Sequence, residues 1–260
     1  MWSKAIKPPL QREPPKAVIP DFFSQPRLLT VAPMFKPADL FELSQGAHAE
    51  IFADCEFAWD ALKRITDYLA AHLKPGLHNH CNGVAYVGEN VFIGEGTLVE
   101  DGVMIKGPAI IGRNCEIRHN AYIRENVIIG DRCVVGNSSE IKNSILFNYA
   151  VAPHFNYIGD SILGYKSHLG AGVKISNFKL TPGNIRVEVD GRDLDTGLRK
   201  FGALLGDHAE VGCNAVLNPG SIIGRGSIVY SNVNWRGVLK PGHIAKNKAA
   251  VEIVAKRATG

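Results

Sequence analysis

Residues 86–100 read Tyr-Val-Gly-Glu-Asn-Val-Phe-Ile-Gly-Glu-Gly-Thr-Leu-Val-Glu, with an aliphatic residue at every sixth position and turn-formers between. The series runs Val87, Ile93, Val99, Ile105, Ile111, Ile117, Ile123, Ile129, Val135 and Ile141. Gly follows at Gly88, Gly94, Gly112, Gly130 and Gly136, and the intervals hold pairs such as Glu89-Asn90 and Asp131-Arg132. The register then slips by four and resumes as Ile145, Val151, Tyr157, Leu163, Leu169 and Ile175, and later as Leu205, Val211, Leu217, Ile223 and Val229, ending at Trp235. A period of six is neither helical nor that of a plain hairpin, so each hexad is a short strand plus a turn that aims one side chain inward. Three such faces close a coil. Coils stacked ~4.8 Å apart pair their backbone groups and bury a column of Ile and Val. The fold expected is an all-β, prism-shaped parallel β-helix, and the usual crossover rule predicts a right-handed one.

Around this core the chain divides by composition. Eight of the 14 Pro fall in the first 37 residues, where fixed φ and missing N–H groups disfavour helix and sheet, so residues 1–52 are expected to form an extended Pro-rich arm. Phe22, Phe23, Leu28 and Leu29 give that arm apolar residues to lay against the body or a neighbouring subunit. Ala58, Leu62, Ile65, Leu69 and Leu73 recur at helical spacing and Lys74-Pro75-Gly76 stops them, so residues 53–80 read as a helix and linker. That helix and the segment around Val251–Val254 are the expected caps of the end coils, the latter within a tail of residues 247–260. Thr181, Asp193 and Arg199 break the aliphatic ladder of the 81–246 domain. Ile185-Arg-Val-Glu-Val-Asp-Gly-Arg alternates around Asp190-Gly191, which makes residues 179–200 a hairpin leaving the prism.

Composition excludes several classes. With 29 Lys plus Arg against 25 Asp plus Glu the 260-residue chain has a formal charge of +4 and no basic run, which argues against nucleic acid as partner. Five Cys without a CxxC pair suit free thiols in a reducing cytosol. The first residues lack an apolar signal core, and no run of about eighteen apolar residues is present, so a soluble cytoplasmic protein without membrane partners is expected.

From Val84 to Lys246 the sequence resembles the hexapeptide-repeat acyltransferases with a left-handed β-helix fold. Ala152-Pro-His-Phe-Asn-Tyr-Ile-Gly-Asp160 is similar to the active-site segment of the glucosamine-1-phosphate N-acetyltransferase domain of bifunctional UDP-N-acetylglucosamine diphosphorylases, and Asp195-Thr-Gly-Leu-Arg-Lys-Phe-Gly-Ala-Leu-Leu-Gly-Asp207 resembles the archaeal branch. The resemblance implies a left-handed β-helix, a homotrimer with active sites between subunits, acetyl-CoA as cosubstrate, an amino-sugar 1-phosphate as acceptor and no metal. The Gly-rich, Arg-containing phosphate loop of the diphosphorylase domain does not occur in the first 80 residues, so nucleotidyl transfer is not expected.

N-acetylation needs a base near neutrality, and His154, at the register slip where a polar side chain can face a cleft, is the candidate. The resemblance places the family's catalytic base on His154, a substrate contact on Tyr157, and a substrate- and acetyl-holding Asn on Asn177. It puts phosphate-gripping cations at Arg124, Lys142 and Lys200, residue types suited to that task. Toward acetyl-CoA it assigns Lys246 to the 3′-phosphate, with Arg236 and Lys240 nearby, and Cys213 beside the acetyl group, where a small buried thiol is expected.

Two other readings compete. A γ-carbonic anhydrase-like metal protein would use three His; His119 and His154 have a suggestive separation, but position 159, where the third is expected, is Gly. His78-Asn-His80-Cys81 has metal-binding composition in a Gly/Asn-rich linker. A non-catalytic trimeric scaffold or sugar-nucleotide-binding protein would keep the fold without the chemistry.

Overall fold

Each hexad folds as a strand of two to four residues followed by a tight corner, and the corner residues explain the sequence between the aliphatic positions. Asn114, Asn120 and Asn126 sit at φ 53°, 57° and 59°, a left-handed conformation that Asn tolerates better than most side chains. In this computed structural model, which describes residues 35–189 and 191–248, the strands form three parallel sheets of nine, nine and eight strands. They are the three faces of a left-handed parallel β-helix. The right-handed rule concerns strands joined by helical crossovers; here a strand turns into the next face through a corner of one to four residues, in most cases with one of them left-handed.

The first face runs from Gly76–Leu77 to Val238–Leu239, the second from His80–Asn82 to Ile244–Ala245, and the third from Tyr86–Val87 to Asn234–Trp235. Pairing is in register down each stack, for example Ala109 with Val127 and Val127 with Ser144. The interior is a dry column of Ile, Val and Leu, with Ile93, Ile105, Ile111, Ile117 and Ile123 all 0% exposed. It continues past Trp235 to Leu239 and Ala245.

The structure corrects the phase around the register slip. The interior residues are Ile141, Leu146, Ala152, Ile158 and Leu163, so the ladder takes two steps of five rather than one step of four. Coils there have 17 residues instead of 18, as the pairing of Val127 with Ser144 shows beside that of Ala109 with Val127. Ile145 and Tyr157 therefore face outward. Sequence spacing alone cannot separate the two phasings, because Ile145-Leu146 and Tyr157-Ile158 each offer two adjacent side chains able to fill the core.

The segment before Gly76 does not cap an end coil. The helix Ala61–His72 lies along the outside of the first face, in contact with its strand Ser144–Leu146. The reason is that this face is aliphatic on both sides: Ile110, Ile128, Ile145, Ile162, Leu204 and Ile222 point outward and are buried. Phe41, Phe52, Trp59 and Leu62 cover them, and Phe41 stacks on Phe147 at 5.0 Å. The part of the expected arm from Phe35 to Phe52 is not extended but forms the helix Pro37–Leu40 and the 3₁₀ turns Leu43–Gln45 and Ala49–Phe52, with Leu40, Phe41, Ile51 and Phe52 buried. Residues 1–34 and the tail from 249 lie outside the described residues.

The 179–200 excursion contains the antiparallel hairpin Arg186–Val189 with Arg192–Asp195. Its base folds back, with Ile185 and Val187 buried in the flanking core.

Candidate active site

The short coils bring a polar cluster onto the outside of the third face. Glu140 lies opposite Tyr157 and Lys142 opposite Gly159 in the strand ladder. Arg124, one coil earlier, donates its backbone N–H to Ile141 O and pairs with Glu140 at 2.9 Å and Glu125 at 3.3 Å. Lys142 pairs with Asp160 at 3.4 Å, its side chain 14% exposed and that of Asp160 6%. Asp160 also accepts from Asn143 Nδ2 at 2.9 Å and from Asn177 Nδ2 in a short contact. Gly159 permits this crowding: a Cβ there would stand 2.6 Å from Asn177 Nδ2 and 2.8 Å from the Tyr157 hydroxyl. Burial pushes the Tyr157 phenol above its ordinary pKa, the charges of Glu140 and Asp160 add to this, and its hydrogen bond with Asn177 opposes it. Tyr157 thus stays protonated near neutrality, able to donate.

The structure therefore gathers Lys142, Asn143 and Asn177 around the buried Asp160 carboxylate, with Tyr157 hydrogen-bonded to Asn177 and Arg124 held beside them on Glu140. Asp160, Asn143, Glu140 and Gly159 belong to the cluster and were not singled out from the sequence. Their signal was present for Gly159 and Asp160, which close the Tyr-Ile-Gly-Asp segment. Lys200 is exposed and adjoins the cluster through its neighbour, since Phe201 N–H donates to Asn177 O at 2.9 Å.

His154 ends the second-face strand Val151–His154, at the edge where the chain turns to the third face. It is exposed, and its imidazole has no hydrogen-bond partner among the described residues. Its backbone is held firmly by Asn156, a buried amide in a corner column otherwise filled by Ala, Val and Ser. Asn156 Oδ1 accepts the His154 N–H at 3.2 Å, its Nδ2 donates to Gly170 O at 2.8 Å, and its N–H donates to Ser139 Oγ at 3.2 Å. Gly136 completes the support, because a Cβ there would fall 1.5 Å from Pro153 O. Gly136→Ala is expected to push the Pro153-His154 backbone outward and to lose about 1–3 kcal/mol, in the range of an overpacked core; urea unfolding of the variant against the parent checks it.

Cys213 and Lys246 lie further along the edge of His154, because Val211 and Ala245 are the inward residues of second-face strands as Ala152 is. From the His154 coil to the Lys246 coil is four coil spacings, ~19 Å at ~4.8 Å each. Cys213 is exposed, not buried as expected. The interior here takes Val211 and Ala215, and the residue after Gly212 falls on the outward corner between them. Arg236 lies on the opposite edge of the third face, where with Ser176, Phe178 and Asn218 it lines a cleft of about 960 Å³ beside the hairpin. Its position separates it from Cys213 and Lys246. The two ring nitrogens of His119 contact Asp101 O and Asn120 Nδ2, and among the described residues no group of three His, Cys, Asp or Glu is arranged to hold a metal ion.

Residues 84–125 match the bacterial transferase hexapeptide (six repeats) family and residues 105–193 the GMPPB C-terminal domain. The chain carries a hexapeptide-repeat β-helix. Over 91 residues, 35% of the chain, it is 34% identical to the bifunctional sugar-1-phosphate nucleotidylyltransferase/acetyltransferase of Sulfurisphaera tokodaii, covering 23% of that protein. Over 118 residues, 45% of the chain, it is 30% identical to the bifunctional protein GlmU of Methanococcus maripaludis, covering 28% of it. The chain thus spans about a quarter of the length of the curated relatives it matches. The solved UDP-N-acetylglucosamine acyltransferase of Campylobacter jejuni aligns over 66% of each chain at 15% identity and a TM-score of 0.36. No helix among the described residues is long and apolar enough to cross a membrane.

Proposed function

We propose that this hexapeptide β-helix is an acetyl-CoA-dependent N-acetyltransferase acting on an amino-sugar 1-phosphate, glucosamine-1-phosphate first among them. The observation that carries the reading is the joint presence of an exposed, backbone-anchored His154 and, three residues on, the Tyr157-Asn177-Lys142-Arg124 cluster. The likeness to a bifunctional sugar-1-phosphate nucleotidylyltransferase/acetyltransferase supports it.

In this reading His154 takes the proton of the acceptor's amine as nitrogen attacks the thioester carbonyl, and the C–S bond breaks with the thiolate of coenzyme A as leaving group. The proton held on imidazole then protonates that thiolate. Arg124 and Lys142 meet the phosphate, which competes with Glu140 and Asp160 for them, while Tyr157 and Asn177 orient the sugar through directional hydrogen bonds. Lys200 adds a further charge beside Asn177. The donor lies along the edge from His154 past Cys213 to Lys246, whose ammonium meets the 3′-phosphate. Arg236, across the face, is the lesser candidate for that role. A second and third copy of the chain complete each site as a homotrimer.

Thiol release from acetyl-CoA tests this, with glucosamine-1-phosphate, galactosamine-1-phosphate and free glucosamine as acceptors. Turnover that requires the 1-phosphate is expected. Equal turnover with free glucosamine would remove the phosphate role of Arg124 and Lys142, and silence with every acceptor from folded protein would refute the acetyltransferase reading.

A further inference from the structure

On the edge between the first and second faces, remote in the coil from the His154 edge, four successive coils place a large side chain at the left-handed corner. Arg132, Tyr149, Lys166 and His208 have φ of 58°, 61°, 53° and 58°, where the coils before them use Gly96 and Asn114 and the coil after them Gly226. Bulky residues at positive φ are strained, and Gly or Asn would fill the same corner without that strain. Strain of this kind is kept where the side chain serves a site.

The side chains so held form a continuous exposed strip. Lys166 Nζ lies 5.1 Å from the Tyr165 ring centroid and 5.8 Å from that of Tyr149, and the Arg132 guanidinium lies 5.8 Å from Tyr149. Tyr149, Tyr165 and His208 meet edge-on at 5.7 and 5.5 Å. The neighbouring acids are turned away: Asp131 Oδ1 accepts the Arg113 N–H at 2.7 Å, and Asp207, 4% exposed, accepts the N–H groups of Glu42 and Tyr165 at 2.6 and 2.8 Å. Arg132 and Lys166 have no carboxylate partner among the described residues. Cations and phenols thus point outward over three coil spacings, ~14 Å, with Asp131 engaged by the backbone and Asp207 by the backbone and by Arg225 at 3.6 Å.

We propose that this strip binds an extended acidic saccharide chain. A straight row of donors along one edge fits a linear polymer rather than a small molecule, and its charge selects an anionic one. Nucleobases are disfavoured because Lys166 lies over both Tyr149 and Tyr165 and Arg132 over Tyr149, so a stacking base would have to displace these cations. An acidic peptide would need a free strand edge or apolar anchor pockets, and the strands beside the strip are paired on both sides within their sheets. Sugar carboxylates and hydroxyls match ammonium, guanidinium and phenol groups spaced one coil apart.

Anisotropy titration of the full chain tests the proposal with fluorescent oligogalacturonate, a neutral cello-oligosaccharide, oligo-dT and oligoglutamate. Oligogalacturonate is expected to bind tightest and to weaken as sodium chloride is raised. Arg132→Asn and Lys166→Asn are each expected to weaken it about tenfold, the loss of one charge-assisted contact, while the melting temperature stays or rises because Asn suits the corner. Equal binding of oligo-dT, oligoglutamate or the neutral sugar would overturn the class of ligand. No binding, or variants that bind normally, would overturn the strip itself. A lower melting temperature in both variants, or loss of self-association, would make the edge structural or an interface between copies instead.

Discussion

His154→Ala is expected to lower acetyl transfer roughly 10²- to 10⁴-fold, the usual contribution of a general base, and to leave the unfolding midpoint nearly where it was. The separation follows from how the residue is held. Its position is set by the main chain, through Asn156 Oδ1 on the His154 N–H at 3.2 Å and the Gly172 N–H on His154 O at 2.9 Å, and both survive the substitution. The side chain is exposed and ties nothing down, so its removal belongs with surface changes that stay within about 0.5 kcal/mol. Thiol release and thermal unfolding on one preparation read the two effects. Full turnover in the variant would remove His154 as base. A collapse of stability would show that the imidazole has a structural partner.

How much of this could be read without coordinates differs by face. A six-residue aliphatic period admits few alternatives, because it fits neither a helix nor an alternating strand, so the coil and its core were legible down to Ile93 or Ile123. Phase was not legible where two adjacent side chains competed, at Ile145-Leu146 and Tyr157-Ile158, since either could fill the interior and only closure of the 17-residue coil decides. The flanking helix was visible as an amphipathic stripe, but its docking place depends on which face is aliphatic outside as well as inside. Val127-Ile128-Ile129 and Ala203-Leu204-Leu205 carry that signal as triplets in which each residue is buried. At the site, the motif residues Tyr157 and Asn177 were found through their resemblance, whereas Asn143 was missed. Its role comes from a left-handed corner at φ 46° that turns its amide onto Asp160, and nothing local in Lys142-Asn143-Ser144 distinguishes it from an ordinary turn Asn.

Asp160→Ala is expected to cost about 3–5 kcal/mol, the range for removing one partner of a buried ion pair, a large part of the ~5–15 kcal/mol that holds a typical domain. The carboxylate is 6% exposed and faces Lys142 at 3.4 Å, Asn143 at 2.9 Å and Asn177. Its loss leaves a mostly buried ammonium without a counter-charge and two amides without an acceptor, while water reaches the site poorly. Asp160→Asn keeps the volume and one acceptor oxygen, so a smaller loss is expected. Pairing that change with Lys142→Met removes the stranded charge and should recover much of the stability, as replacement of whole buried pairs does. Denaturant midpoints of the three variants measure the series. In the double variant the cluster has lost a phosphate cation, so KM for the sugar 1-phosphate should rise even where the fold is restored. An Asp160→Ala protein with an unchanged midpoint would mean that Lys142 reaches solvent when unpaired, and Asp160 would then not be the anchor on which Asn143, Asn177 and Lys142 are hung.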